Sequence, residues 1–254
     1  AVAEKLERDN GLCYAPGEEI LILNGCAEAL FCAVNALIDP GDEVIVIEPA
    51  FLSYEQIILL ARGVPVVARA REENGWLPRV EDIRRAVTSK TRMIILNTPN
   101  NPTGAVYPRA LLEEIAALAV ERELLVISDE VYEKLIYGRE HVSIASLEGM
   151  RDRTVTINGF SKAYAMTGWR LGYAAAPREL TLAMLKVHQY TSTCLPAFVQ
   201  KGAVDAVKNS AQDVECMRLE YQRRRDILLN YFEPCGAVRL VVPDATFYMY
   251  LNIG

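Results

Sequence analysis

Histidine is scarce: the 254 residues hold only His141 and His188, and neither stands in a recognisable motif. A Ser-His-Asp triad or a histidine-rich metal centre therefore has little to draw on, and both rings are expected to be structural or simply exposed. Six cysteines, at 13, 26, 32, 194, 216 and 235, form no C-x-x-C pair and have no histidine spaced to complete a zinc site. No metal is expected. Scattered thiols of this kind fit a cytoplasmic compartment, where disulfides rarely persist. Long apolar runs are missing too: Ile20–Leu23, Val44–Ile47 and Met93–Leu96 are strand-length, far short of the ~20 residues of a membrane helix, so no membrane association is expected. The opening stretch, Ala1–Asn10, is charged and helical in pattern rather than basic and then apolar, and does not read as a secretory leader. Positive charge is in deficit, with a net charge of -6, which gives no attraction to nucleic acid or acidic lipid. Internal repeats and low-complexity linkers are likewise absent.

What the chain does have is a large stock of core-forming residues, 51% hydrophobic against 24% charged, within the globular range. Seven short, nearly continuous apolar runs stand out: Ile20–Leu23, Val44–Ile47, Val64–Val67, Met93–Leu96, Leu124–Ser128, Thr154–Asn158 and Leu171–Ala176. Such runs predict strands buried on both faces. Helical periodicity fills most gaps, over Ala27–Leu37, Ser53–Arg62, Val80–Val87 and Pro108–Arg122, the last opening with proline at a helix start. Strand alternating with helix predicts right-handed crossovers and a mainly parallel sheet, an α/β fold. The loop between Thr154–Asn158 and Leu171–Ala176 is too short for a full crossover, so one of these strands is expected to run antiparallel. After residue 177 three helical stretches follow, the last charged and near Asp213–Phe232, and then a short strand pair, Val238–Val241 and Phe247–Asn252. This predicts a major domain over 1–208 and the beginning of a small α+β domain over 209–254.

Chemistry gathers at the strand ends, where open α/β sheets bind ligands. Asn158-Gly-Phe-Ser-Lys162 follows a buried strand directly and places an amine over the sheet edge; Arg170, eight residues on, has the planar fork that grips a phosphate. Asn97-Thr-Pro-Asn-Asn101-Pro-Thr-Gly104 is a rigid loop that holds amide side chains at set angles. Asp129 ends an otherwise apolar strand, in Val126-Ile-Ser-Asp129-Glu-Val-Tyr132, where an acid is costly to bury unless a cation pairs with it. Leu23-Asn-Gly25-Cys-Ala-Glu-Ala-Leu30 turns from strand into helix and leaves the amides of Cys26 and Ala27 free for an anion. Phe51, in Glu48-Pro-Ala-Phe51-Leu-Ser-Tyr54, is an aromatic able to stack on a flat ring. Each alone also fits a plain structural part: a surface lysine, a well-made turn, a helix cap, a core phenylalanine.

Taken together, the motifs Asn-x-Pro-x-Asn-Pro-Thr-Gly, Ser-Asp-Glu-x-Tyr and Ser-Lys-x-x-x-Met-Thr-Gly-Trp-Arg, in this order and at these separations, resemble the class I and II aminotransferases of fold type I, from about Cys13 to Leu251. Within that family the chain looks most like the aspartate and aromatic aminotransferases of prokaryotes. The resemblance implies a three-layer sandwich and pyridoxal phosphate as cofactor. It implies a Schiff base at Lys162, Asp129 on the pyridinium nitrogen, and Asn101 and Tyr132 on the ring hydroxyl oxygen. Arg170, Ser161 and the amides of Cys26 and Ala27 are then phosphate ligands, with Phe51 stacked on the ring. Lys162, released by substrate, is the base that moves the proton at the α-carbon. The implied partners are an amino acid, a 2-oxo acid and a second copy of the chain in a homodimer.

Some positions depart from the family pattern. Gly159 stands where many relatives have a phosphate-binding serine. The family's arginine for the substrate carboxylate lies beyond Gly254 and its tyrosine lent to the neighbouring subunit lies before Ala1, so the chain is expected to be part of a longer protein. Ala27 is neutral and no arginine occurs between Arg178 and Arg218, which tilts the expectation toward aromatic or broad substrates. Two other readings share these motifs: a C-S lyase on the same scaffold, and an aminotransferase-like sensor domain of a transcription regulator.

Overall fold

The computed structural model describes residues 1–236 and 238–254. Seven strands, β1 (Ile20–Leu23), β2 (Glu43–Glu48), β3 (Val64–Arg69), β4 (Thr91–Asn97), β5 (Leu125–Asp129), β6 (Thr154–Gly159) and β7 (Gly172–Ala175), form one sheet in the order β1-β7-β6-β5-β4-β2-β3. Pairings among β2 to β6 are parallel; β7 is antiparallel to both neighbours. The short β6–β7 connection thus has the outcome expected of it.

The two-residue period of the strands separates two cores. Val44 and Val46 join one cluster with Leu30 and Ala33 of α2 (Gly25–Leu37), Ile58 of α3 (Ser53–Leu60) and Met184 of α6 (Arg178–Thr191). Ile45 and Ile47 join the opposite cluster, with Ile83 of α4 (Val80–Ala86) and Leu112 and Ile115 of α5 (Arg109–Glu121). Helices therefore cover both faces, which is why the central strands read as unbroken apolar runs. Each fully buried aliphatic side chain contributes roughly 1.5–3 kcal/mol to holding the three layers together. A third cluster packs Leu6 of α1 (Val2–Asn10) and Val199 and Ala203 of α7 (Ala197–Asn209) beside Tyr173 of β7.

The final part is plainer. Helix α8 (Ala211–Phe232) buries only Val214, and two two-residue strands, β8 (Arg239–Leu240) and β9 (Leu251–Asn252), pair antiparallel. Both are shorter than the runs in the sequence. The stretch between them bonds elsewhere: Tyr137 N donates to Asp244 O (2.7 Å), Thr246 N to Leu135 O (2.8 Å) and Asp244 N to Gly104 O (3.1 Å). Thr246, at φ 68°, also breaks the extended path. Among the described residues no helix is long and apolar enough to cross a membrane.

Strand direction positions the site. The carboxyl ends of β1, β2, β4, β5 and β6 share one edge of the sheet, and because β7 runs the other way its amino end lies there too. Arg170, two residues before β7, is carried to the same edge as Lys162, three residues after β6.

Candidate active site

A cavity of about 210 Å³ opens at that edge, and all nine residues singled out in the sequence line it: Cys26, Ala27, Phe51, Asn101, Asp129, Tyr132, Ser161, Lys162 and Arg170. They come from the ends of six different strands, so only the topology unites them.

Asp129 is the last residue of β5, in register with Asn97 at the end of β4. The Asn97 side chain ties the two ends together: its Nδ2 donates to Asp129 O (2.9 Å) and its Oδ1 accepts from Asn101 N (2.7 Å). That bond sets the start of the loop bearing Asn101. Asp129 is 4% exposed. Its Oδ2 accepts from the Tyr54 hydroxyl at 2.8 Å and its Oδ1 from Val131 N at 3.3 Å. Burial pushes the carboxyl up to about 6, against the lowering effect of these two hydrogen bonds. Burial also lifts the Tyr54 phenol well above its ordinary value, and the Asp129 charge adds to the effect, so the proton between them stays on the phenol.

Half-buried Lys162 reaches between two aromatic faces, its Nζ 5.6 Å from the Tyr132 ring centre and 5.4 Å from that of Phe247. The negative ring faces favour a cation here by about 0.5–2 kcal/mol each. Tyr132 Oη lies 2.9 Å from Tyr248 Oη, and burial raises the Tyr132 phenol far above its usual value, aided by Tyr248.

The opposite end of the cavity is built for an anion. Gly25 takes φ +81° to turn β1 into α2, leaving the first amides of that helix directed outward. A Cβ on Gly25 would lie 2.8 Å from the Arg170 guanidinium, and one on Gly172 would lie 2.8 Å from Cys26 N. Guanidinium and amides are thus packed together with no room for side chains between them. Arg170 itself is left-handed (φ 51°, ψ 54°), a conformation costing an L-residue roughly 1–2 kcal/mol, which its place in the cradle maintains. Gly159 has a steric reason: a Cβ there would meet Cys26 Sγ at 2.8 Å and Gly172 Cα at 3.1 Å.

A flat ring with a basic nitrogen and a phosphate fits this donor set, with a carboxylate at one end, an anion cradle at the other and an amine between. Phe51, 38% exposed and edge-on to Tyr54, borders the opening.

Several contributors were not singled out from sequence. Tyr54 stands one helical turn after Phe51 in a motif already noted, and Asn97 opens the loop of Asn101; both had a local signal. Phe247 and Tyr248 had none, since the stitches between segment 243–248 and residues 135–137 are long-range. The histidines fall outside the cavity. His188 Nδ1 is 3.0 Å from Glu28 Oε1, and His141 Nε2 is 2.9 Å from Glu130 Oε2. Glu130, Glu133 and His141 gather within 4.8 Å of one another behind β5, a grouping the sequence spacing hides. Lys5 of α1 pairs with Glu133, Asn10 donates to the same carboxylate, and Ser128 and Ser143 donate to Glu130. Burial acts to raise Glu133, but Lys5, His141 and Asn10 outweigh it and hold it below the usual carboxylate range.

The model of the family described as aminotransferase class I and II matches residues 1–254. The chain is 44% identical over 256 residues to an aspartate aminotransferase of Pyrococcus abyssi, covering 100% of this chain and 66% of that protein. It is 43% identical over 256 residues to aromatic-amino-acid aminotransferase 2 of Thermococcus litoralis, covering 100% and 66%. Among solved structures, the aromatic aminotransferase from Pyrococcus horikoshii OT3 superposes with a TM-score of 0.96 at 45% identity, over 98% of this chain and 68% of that one. The chain spans about two thirds of the length of the curated relatives it matches, 66% in these two cases.

Proposed function

Because this chain belongs to the class I and II aminotransferase family, we propose that it binds pyridoxal phosphate at Lys162 and moves an amino group between an amino acid, aspartate or aromatic, and a 2-oxo acid such as 2-oxoglutarate. The observation that carries this reading is the convergence of Asp129, Lys162 and Arg170 on one cavity. When bound, the cofactor supplies an electron sink for the negative charge that develops at the substrate α-carbon. The protein does the rest. Asp129 holds a proton on the ring nitrogen, and Asn101 and Tyr132 hydrogen-bond the ring hydroxyl oxygen. Arg170, Ser161 and the amides of Cys26 and Ala27 bind the phosphate, and Phe51 stacks on the ring. The Lys162 amine takes and returns the proton at the α-carbon, from a half-buried position between Tyr132 and Phe247.

Neutral Ala27 and the lack of arginine between Arg178 and Arg218 favour an aromatic or broad donor range. Tyr190, Phe198 and Leu52, at 91%, 74% and 86% exposure, are large apolar groups available to the homodimer contact that the family resemblance implies. Free thiols support a cytoplasmic location, and the poor burial of α8 supports a boundary between a major domain, 1–208, and a small one, 209–254.

The test is the absorption spectrum of the protein with pyridoxal phosphate, followed by aspartate and then by phenylalanine or tyrosine. Conversion of the protein-bound band to that of the aminated cofactor, restored by 2-oxoglutarate, is the expected result. Release of ammonia and pyruvate instead would point to the lyase.

A further inference from the structure

Tyr54 holds no part of the proposed cofactor directly, yet its hydroxyl makes the shortest hydrogen bond to Asp129, the most deeply buried charged group of the cavity. We infer that Tyr54 is a positioning residue: by donating its phenolic proton to Oδ2 it keeps Asp129 ionised and thereby sets how firmly a protonated ring nitrogen is held. The inference rests on the cofactor reading for its ligand, though not for the state of Asp129 itself.

The geometry singles out this hydroxyl. Tyr54 is 2% exposed, in the first turn of α3, and its ring is braced edge-on by Phe51 at 5.7 Å between centres. Its donation to Oδ2 spans 2.8 Å, while the competing donor, Val131 N, reaches Oδ1 only at 3.3 Å. Asn97 serves the backbone oxygen of Asp129, not the carboxylate. A carboxylate 4% exposed has lost nearly all its water, so a single short bond from a neutral donor decides much of its charge state. Other groups act on Asp129 from several directions: Glu130 next in the chain opposes its ionisation, and Lys162 beyond β6 favours it. Cys26 of α2 and Tyr132, whose thiol and phenol stay protonated because burial raises both, add no charge. Among the described residues, Tyr54 is therefore the neutral side chain that biases this carboxyl toward its charged form.

The test replaces Tyr54 by Phe, which keeps the ring and deletes the donor. Carboxyl carbon resonances of aspartate-labelled protein, with Asp129 assigned by its loss in Asp129→Asn, report the titration without cofactor. The expected result is an upward move of the Asp129 midpoint by about one pH unit, a tenfold rise in proton affinity. Affinity for pyridoxal phosphate should then fall about fivefold at pH 6, where ionisation is roughly halved in the parent and scarce in the variant, and converge with the parent near pH 8.5. An unmoved or lowered midpoint would overturn the inference, and a role in packing alone would lower the melting temperature and leave the midpoint in place. If Tyr54→Phe does not fold, fluorotyrosine inserted at position 54 alone makes a stronger donor of similar size; it should move the midpoint down, and no movement would again overturn the inference. If neither protein binds the cofactor, the proposed function fails, while the titration still decides the role of Tyr54.

Discussion

Replacing Asp129 by Asn should stabilise the cofactor-free protein at neutral pH while crippling its hold on the cofactor. In the native state burial raises this carboxyl from 3.8 to about 6. The folded protein therefore favours the protonated form, and the stability linked to it is complete below pH 3.8, is lost as the pH rises toward 6, and changes no further above that. A gap of about two pH units, at about 1.36 kcal/mol per unit, amounts to about 3 kcal/mol lost across the window. Asparagine carries no charge at any pH, and its Oδ1 remains an acceptor for Tyr54, so the variant escapes this loss. The assay is urea unfolding of parent and variant without cofactor at pH 4, 5, 6 and 7. Other titrating groups are common to both proteins, and the difference between the two curves isolates Asp129. That difference should swing by about 2 kcal/mol in favour of the variant between pH 4 and pH 7, the first part of the loss being already complete at pH 4. A difference that stays flat, or swings the other way, refutes the claim that a charged carboxylate is held buried for the sake of a cationic ligand.

Two further outcomes follow from the same geometry. Arg170→Ala should weaken binding of pyridoxal phosphate about a hundredfold, as expected for a lost charge-assisted bidentate contact, and leave binding of pyridoxal, which lacks the phosphate, nearly unchanged; parallel equilibrium dialysis of both compounds checks this. Lys5→Met removes the cation paired with Glu133, whose side chains are only 4% and 5% exposed, and should cost about 3–5 kcal/mol. Adding Glu133→Gln should recover much of that loss in a denaturant melt, since the damage comes from the charge left behind.

The architecture was largely legible because its central strands are buried on both faces and its helices are amphipathic; β1 followed from run length, and the short loop pointed to an antiparallel strand at β6 or β7 without saying which. The site was legible where one residue stands at the end of a strand, as with Asp129 and Lys162, since topology sends every such end to one edge. Contributions depending on contacts between distant segments were not. Nothing in the order of residues brings Tyr248 to Tyr132, 116 positions away, or Lys5 to Glu133, 128 positions away. The closing strands were overestimated because an alternating pattern cannot show that the backbone of 243–248 will bond to residues 135–137 and Gly104 instead. Gly159 read as a lost ligand from sequence; in the structure it is also the space in which the sulfur of Cys26 sits.

The central claim, that one cavity presents Lys162 to the aldehyde of pyridoxal phosphate, is tested most directly by loading the protein with one equivalent of the cofactor, reducing it with borohydride and mapping the modified peptide by mass spectrometry. Stoichiometric labelling at Lys162, and none in Lys162→Ala, is the expected result. Label spread over surface lysines such as Lys90, Lys186 and Lys208, undiminished by loss of Lys162, would contradict it.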